Sequence, residues 1–417
     1  MSNNKTDIYV YAHWKGLPEP LIIGILSAHQ AKGRKAFSFE YDAKWLKTGN
    51  KFLLDPEISL FTGLQYPNKK ENFGVFLDSM PDTWGRTLMK RRAILNAKEM
   101  NTEASTLYDI DFLLGVYDES RMGALRFKLD PNGHFLDNNN FGSVPPWSSL
   151  RELQHAALCL ENEKDTDDVK KWLAVLIAPG SSLGGARPKA SIFDHENNLW
   201  IAKFPSKADT IDKAAWEYLI HKLAVLSGIT MASCRLEKIM GNHHTFFTKR
   251  FDRDYGERIH FASAMTMTSN VEENLRDHPA SYLEIAEFVS NYGVNITENL
   301  HQLWRRIVFN ISVSNTDDHL RNHGFLLTKD GWELSPAYDI NPSVDKDGLS
   351  LNIDMAENSL DFELAKSVGG YFRLDTKQME SIINDVKQIV SNWENLAIKL
   401  GISRSERILM KQAFRCS

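Results

Sequence analysis

The sequence predicts a bilobal α+β fold, with a β-rich N-terminal part and a mostly helical C-terminal lobe. Residues 7–60 alternate in the manner of strands, and two hairpins are predicted over residues 189–204 and 235–251. Beyond residue 251, apolar side chains recur mainly at helical spacing. A chain of 417 residues is too long for one ordinary core, so we expect two or three lobes.

The first half also contains helical patterns. An aspartate stands near the start of the pattern at 82–100, where its side chain can cap free backbone N–H groups. Strand-like sequence returns at 122–129, and the polar, turn-rich stretch 130–148 is the predicted linker. The predicted helices of this half cover residues 82–100, 108–116, 150–160 and 167–177.

In the second half, one helix lies between the two hairpins and long helices follow them. A further hairpin is predicted at 324–335. The predicted helices cover residues 213–226, 281–292, 299–314, 377–400 and 404–414. We therefore expect an N-terminal β-rich subdomain over 1–145, an upper lobe over 146–250 and a helical C-terminal lobe over 251–417.

Composition excludes some classes of protein. Lys and Arg number 49 and Asp and Glu 54, so the net charge of −5 does not favour direct electrostatic binding of nucleic acid. The three cysteines show no metal-binding spacing and fit a reducing compartment. The first residues contain no apolar signal region, and the longest apolar run, 172–179, is too short to span a membrane. We expect a soluble cytoplasmic protein that does not contact the membrane.

The most informative segment is Asn315–Asn322, which follows an apolar helical pattern. Asp317 is followed five residues later by Asn322, which is the layout of a kinase catalytic loop. In such a loop the aspartate orients the attacking hydroxyl, and the asparagine supplies an amide oxygen to a magnesium ion. Spacing alone decides nothing between this interpretation and a polar turn rich in capping residues.

A second acidic residue, Asp339, ends the predicted strand that follows. One carboxylate, one amide and the phosphates of ATP would form a suitable ligand set for Mg²⁺. The alternative is a simple turn residue before Pro342.

Residues 179–189 form a glycine- and serine-rich connection between a helix and a strand. Three glycines permit close approach of phosphate groups, and two serines and two cations add donors. The Gly-Lys-Ser/Thr ending of a Walker A loop is absent. The alternative is a flexible connector.

Two further segments could contact a nucleotide. Lys203 is the basic residue of an otherwise apolar strand end, and Glu217 in the next helix could hold it as in kinases. The alternative is a lysine whose ammonium group reaches out to solvent. Backbone groups of the strand 248–253 could bind adenine, and the alternative there is a charged strand edge in solvent.

Together these segments resemble the HipA family of bacterial toxin kinases, over most of the chain. Lys249 departs from the family, in which an acidic residue is common at that position. The matching motifs are Met80–Arg86, Asp111–Gly115, Arg121–Phe127, Gly185–Lys189, Lys249–Arg253, Asn315–Asn322 and Tyr338–Asp339.

The resemblance implies a protein-kinase-like fold and a role for each matching residue. Asp317 and His319 would be catalytic, and Asn322 and Asp339 would bind Mg²⁺. Ser182 would be an inhibitory autophosphorylation site, with Ser181 as the adjacent substitute. The implied ATP contacts are Ser182, Gly184, Gly185, Ala186, Arg187, Lys189, Lys203, Lys249, Phe251, Asn322 and Asp339.

The resemblance also implies partners. The family pairs with a HipB-like helix-turn-helix antitoxin that binds operator DNA, so DNA contact would be made mainly through that partner. The known targets of the kinase family are aminoacyl-tRNA synthetases, notably the glutamyl-tRNA synthetase. Two alternatives from other classes stay open: a catalytically silent, nucleotide-binding corepressor, and a kinase of a small molecule.

Overall fold

A computed structural model describes residues 4–31, 34–49, 52–68, 70–136, 144–162, 173, 176 and 185–416. Part of the predicted linker and most of the predicted helix 167–177 lie outside these ranges. The chain divides into two compact units. The first unit comprises Met1–Ala202, Arg250–Val271 and Leu326–Lys329, and the second comprises Lys203–Lys249, Glu272–Phe325 and Asp330–Ser417. The predicted division at residues 145 and 250 into three parts stays a prediction.

The strands and helices are numbered in chain order. The strands are β1 Asn4–Ala12, β2 Leu21–Ala31, β3 Arg34–Tyr41, β4 Leu125–Lys128, β5 Lys189–Phe193, β6 Leu199–Lys203, β7 Cys234–Glu237, β8 Thr245–Lys249, β9 Arg253–Asp254, β10 Glu257–Arg258, β11 Phe261–Ser263, β12 Gly324–Leu327 and β13 Trp332–Leu334. The α-helices are α1 Gly74–Leu77, α2 Thr83–Glu99, α3 Asp109–Leu114, α4 Leu150–Glu161, α5 Lys213–Leu226, α6 Ala264–Met267, α7 Tyr282–Tyr292, α8 Ile296–Val313, α9 Phe362–Ser367, α10 Thr376–Val390, α11 Trp393–Lys399 and α12 Arg404–Met410.

The first unit contains a four-stranded antiparallel sheet in the order β3-β2-β1-β4. Along β1 the alternate residues Ile8, Val10 and Ala12 are buried, because successive side chains of a strand point to opposite faces. The strands predicted in this region are confirmed. So is the helix predicted at 82–100, since Asp82 caps α2 by accepting a hydrogen bond from Gly85 N at 2.8 Å.

Arg121 connects three of the segments that carry the family resemblance. Its guanidinium group is fully buried and donates hydrogen bonds to four main-chain carbonyl groups. These acceptors belong to Ser79 (2.9 Å), Leu113 (2.8 Å), Val116 (2.9 Å) and Leu136 (3.1 Å). Because arginine has five N–H donors in a rigid plane, one side chain can hold several loops at once. The segments around residues 80, 113 and 121 therefore form one structural feature.

A buried ion pair completes this part of the first unit. Arg250 and Asp252 have fully buried side chains, and Arg250 Nη1 donates to Ser120 O at 3.0 Å. Asp252 Oδ2 accepts from Gly123 N at 2.8 Å and from Arg253 Nη1 at 2.6 Å. Burial opposes the charge, but the two arginines lower the pKa of Asp252 to about 2. The alternative interpretation, that these residues form a charged strand edge in solvent, is therefore wrong.

In the second unit, α8 lies at the centre of a helical core. Leu300, Leu303, Trp304 and Ile307 of this helix are completely buried. The helix packs against α7, α9 and α10. The helices predicted at 213–226, 281–292 and 299–314 are confirmed, with ends that shift by up to three residues.

One predicted helix is wrong as a single element. Residues 377–400 form two helices, α10 and α11, separated by Ser391 and Asn392. The Ser391 hydroxyl donates to Gln388 O at 2.7 Å, and such bonds compete with helix continuation. The last predicted helix, 404–414, ends at Met410 and continues as a short 3₁₀ turn. Among the described residues, no helix combines the length and the apolar character needed to cross a bilayer.

Candidate active site

Lys203 is held by two carboxylates in the second unit. Its Nζ donates to Glu217 Oε1 at 2.6 Å and to Asp339 Oδ1 at 2.7 Å, and the side chain is 9% exposed. Burial opposes the charge of the ammonium group, but Asp339 and Glu217 outweigh it and raise the pKa of Lys203. The predicted pairing with Glu217 is therefore confirmed. The alternative, in which the Lys203 ammonium group reaches out to solvent, is wrong. The role of Lys203 in ATP binding stays a prediction.

The local sequence explains how these three groups meet. Lys203 is the last residue of β6, and Glu217 lies one turn inside α5, whose start is capped by Asp212. Asp339 has a φ of +56°, a left-handed conformation that is uncommon for residues other than glycine. Such strain is found more often at functional positions than elsewhere.

The loop after α8 brings Asp317 and Asn322 together. Asn322 Nδ2 donates to the main-chain oxygen of Asp317 at 3.0 Å. The carboxylate of Asp317 is 80% exposed, and Lys346 Nζ lies 4.0 Å from its Oδ1. By contrast, Asn322 Oδ1 is buried and has no hydrogen-bond partner among the described residues. Because buried acceptors are almost always satisfied, this oxygen is a suitable ligand for a hard cation.

The segment of Asp339 is tied to this loop by three hydrogen bonds. Asn341 N donates to Asn315 Oδ1 at 3.2 Å, and Ser343 N donates to Ser314 O at 3.1 Å. The Tyr338 hydroxyl donates to Arg321 O at 2.8 Å. The predicted catalytic loop and the predicted metal-binding segment are therefore held together by direct hydrogen bonds.

Sequence reasoning missed the residue next to Asp317. Asp318 is buried, and its Oδ2 accepts hydrogen bonds from the Tyr282 hydroxyl, from Asn310 Nδ2 at 2.8 Å and from His323 Nε2 at 2.8 Å. Burial alone would raise the pKa of Asp318, but His323 and Tyr282 lower it. The Asp317-Asp318 pair was the available signal in the sequence.

His319, the second residue predicted to be catalytic, lies between Asp318 and Asn322. Its Nδ1 is buried and has no hydrogen-bond partner within the described part of the chain. This imidazole is not hydrogen-bonded to the Asp317 carboxylate. Its catalytic role stays a prediction.

The end of the glycine- and serine-rich loop is fixed within the first unit. Lys189 is buried, and its Nζ donates to Asp82 Oδ2 at 2.6 Å and to Gly185 O at 3.2 Å. Trp84 Nε1 donates to Lys189 O at 3.1 Å, and Gly185 has a φ of +69°. Lys189 therefore fastens the loop to the start of α2. Ser181, Ser182 and Gly184 lie outside the described residues.

The other residues predicted to contact a nucleotide lie at the end of the glycine- and serine-rich loop and around the end of β8. Gly185 and Ala186 are exposed, and Arg187 is partly exposed. Lys249 N donates to Ser233 O at 2.8 Å, which uses that amide within the β7–β8 pair. The Phe251 ring packs 6.0 Å from that of Phe261. Their contacts with a nucleotide stay predictions.

Comparison with known proteins gives the family. A family described as the HipA-like C-terminal domain matches residues 181–393, just over half of the chain. The chain belongs to the HipA-like family. This result agrees with the resemblance read from the motifs.

The fold of the HipA-like chain is similar to that of a solved toxin. HipA of Shewanella oneidensis MR-1, solved in complex with HipB and operator DNA, superposes with a TM-score of 0.66 at 17% identity. The superposition covers 97% of this chain and 94% of that one. The predicted α+β, kinase-like fold class is thereby confirmed.

A curated relative matches a smaller part of the HipA-like chain. A Haemophilus influenzae protein named "Putative kinase" is 26% identical over 179 residues, which is 38% of this chain. The match covers 52% of that relative, so the chain spans about half of its length.

Proposed function

We propose that this HipA-like chain is an ATP- and Mg²⁺-dependent serine/threonine protein kinase. One observation carries the proposal: Lys203 bonds both Glu217 and Asp339, while Asn322 presents a buried amide oxygen without a partner. In protein kinases the lysine–glutamate pair holds the nucleotide phosphates, and an aspartate and an asparagine hold the metal ions. The four residues present fit these roles.

The donor set suits magnesium in particular. Asn322 and Asp339 offer an amide and a carboxylate oxygen, which are the hard ligands that Mg²⁺ prefers. When bound, the ion would neutralise charge on the phosphates of ATP. Asp339 Oδ1 already accepts from Lys203, so this residue would link the lysine to the metal site.

Asp317 would act on the acceptor hydroxyl. Its carboxylate is 80% exposed, so a serine or threonine of a protein substrate can reach it. The Asn322 hydrogen bond to its main-chain oxygen would hold the loop in position. We propose that Asp317 orients the hydroxyl and accepts its proton.

The relatives suggest the biological setting. The Shewanella protein is bound to HipB and operator DNA, and we propose a HipB-like antitoxin for this chain, with DNA contacted through it. The net charge of −5 supports indirect contact with DNA. For the substrate we propose an aminoacyl-tRNA synthetase such as the glutamyl enzyme, and for self-inhibition we propose autophosphorylation of Ser182 or Ser181.

Labelled ATP tests the proposal. Purified protein is incubated with γ-³²P-ATP, Mg²⁺ and either cell lysate or purified glutamyl-tRNA synthetase. Asp317→Asn is the inactive variant, and the exposed Asp347→Asn is the matched control. A labelled protein band that Asp317→Asn alone loses supports the proposal. A labelled small molecule supports a small-molecule kinase, and no transfer to any acceptor supports the silent corepressor.

A further inference from the structure

A cavity of about 670 Å³ lies within the first unit, and none of the residues proposed for phosphoryl transfer lines it. This volume is typical of sites for small molecules. Two family motifs outside the catalytic residues contribute to it, through Arg126 and Arg253. The lining also includes His13, Trp14, Tyr117, Asp118, Phe135 and Arg258.

One carboxylate in the lining of this cavity is shared by two arginines. Asp118 Oδ2 accepts from Arg126 Nη2 at 2.6 Å and lies 3.2 Å from Arg258 Nη2. This cluster therefore keeps one positive charge. At the rim, Lys15 pairs with Asp254, which adds no net charge. Burial and repulsion from Arg126 lower the pKa of Arg258 to about 10, so it remains charged at neutral pH.

A second cluster adds to the positive potential. Buried Asp252 is shared by Arg250 and by Arg253, which lines the cavity. Two carboxylates at the rim, Glu119 and Glu257, are exposed. Water and salt screen exposed charges strongly, whereas buried charges are screened much less. The wall of the cavity is therefore more positive than its rim.

The cavity also offers unused hydrogen-bond donors. Arg258 has a side chain that is 10% exposed, and its Nη1 is buried without an acceptor among the described residues. His13 Nδ1 lies 3.1 Å from Arg126 Nη1. Because a guanidinium group can only donate, Nδ1 must accept, and the proton of neutral His13 stands on Nε2. That N–H has no acceptor within the described part of the chain.

We propose that this cavity binds a small organic oxyanion, a carboxylate or a phosphate monoester. A guanidinium group matches either oxyanion with two parallel hydrogen bonds. Arg258 and His13 would hold the oxyanion, and the aromatic rings of Tyr117 and Phe135 would contact the organic part. The cavity is larger than inorganic phosphate requires, and the aromatic lining favours a ligand with an apolar or aromatic body.

Isothermal titration calorimetry with nucleotide-free protein tests this site. The probes are phenyl phosphate and benzoate, with inorganic phosphate and uncharged benzyl alcohol for comparison. The matched pair of variants is His13→Gln and His13→Glu, since both retain an oxygen acceptor for Arg126 but only glutamate repels an anion. Arg258→Gln removes the proposed donor, and the exposed Arg151→Gln on α4 is the control.

We expect at least one anionic probe to bind with one-to-one stoichiometry. His13→Glu should weaken it about tenfold or more relative to His13→Gln, and Arg258→Gln should weaken it similarly. The stronger of the two probes identifies the oxyanion as carboxylate or phosphate. Binding of neither probe overturns the proposal, as does equal affinity for His13→Glu and His13→Gln. Loss of binding in Lys203→Gln would place the probe at the proposed ATP residues and would also overturn it.

Discussion

Asn322 donates a hydrogen bond from its side-chain amide to the main-chain oxygen of Asp317, five residues earlier in the same loop. The bond fixes which end of the amide faces the loop. It leaves the amide oxygen of Asn322 as a buried acceptor without a partner. One side chain thus positions the proposed catalytic residue and would offer its oxygen to the proposed magnesium ion.

Asp317→Asn should reduce phosphoryl transfer by about 10²-fold to 10⁴-fold, the usual effect of removing a general base. ATP affinity should change little, because Lys203, Asn322 and Asp339 remain. Transfer is measured with labelled ATP and affinity by calorimetry. Transfer at the parental rate would show that another group accepts the proton.

Asn322→Ala and Asp339→Asn should weaken ATP binding chiefly when Mg²⁺ is present, since the ion would join both residues to the phosphates. Asparagine is the suitable replacement for Asp339, because it tolerates the left-handed φ of +56°. Titrations with Mg²⁺ and with EDTA measure the difference. An equal loss of affinity under both conditions would indicate a structural role.

Asp318→Asn should lower the free energy of unfolding by roughly 3 kcal/mol at neutral pH, because it removes a buried carboxylate with three donors. The pKa of Asp318 is lowered in the folded protein relative to its usual value of 3.8. Its contribution is therefore fully present above about pH 4 and is lost as pH falls through the folded pKa. The stability difference between parental protein and variant should shrink below that pH.

Chemical denaturation from pH 3 to pH 8 measures this difference. The control is Asp317→Asn at the adjacent exposed position, which should change stability by less than about 0.5 kcal/mol. A constant difference across the whole pH range would contradict the assigned role of the Asp318 carboxylate.

Ser182 should carry a phosphate in protein purified from cells, and Ser181 is the adjacent substitute. Phosphorylation adds about −1.5 to −2 charges at neutral pH, which opposes the binding of a polyphosphate. Mass spectrometry should find the phosphate in the parental protein and not in Asp317→Asn. Ser182→Asp should bind ATP more weakly than Ser182→Ala, and unchanged affinity would remove this charge effect as the basis of inhibition.

The sequence predicted which residues form the candidate site better than it predicted the residues that pack around them. Asp317, Asn322 and Asp339 follow from kinase-like spacing, and the strand and helix patterns placed Lys203 and Glu217 on adjacent elements. Asp318 could not be assigned, because its three donors come from residues up to 36 positions away in the chain. The break between α10 and α11 was missed, because the apolar pattern continues through Ser391 and a local hydroxyl bond interrupts the helix.

The first unit is built from segments that are far apart in the chain, and this affects when it can fold. Arg250 and Asp252 reach back to Ser120 and Gly123, and Ser263 donates to Asp78. A growing chain therefore cannot complete this unit until residues 250–271, and finally residues 326–329, have left the ribosome. Until the first of these segments emerges, Asp78 lacks its hydroxyl donors. A fragment that ends at residue 249 should therefore fold less completely than the full chain. Well over half of the chain must be translated before the first unit can be completed.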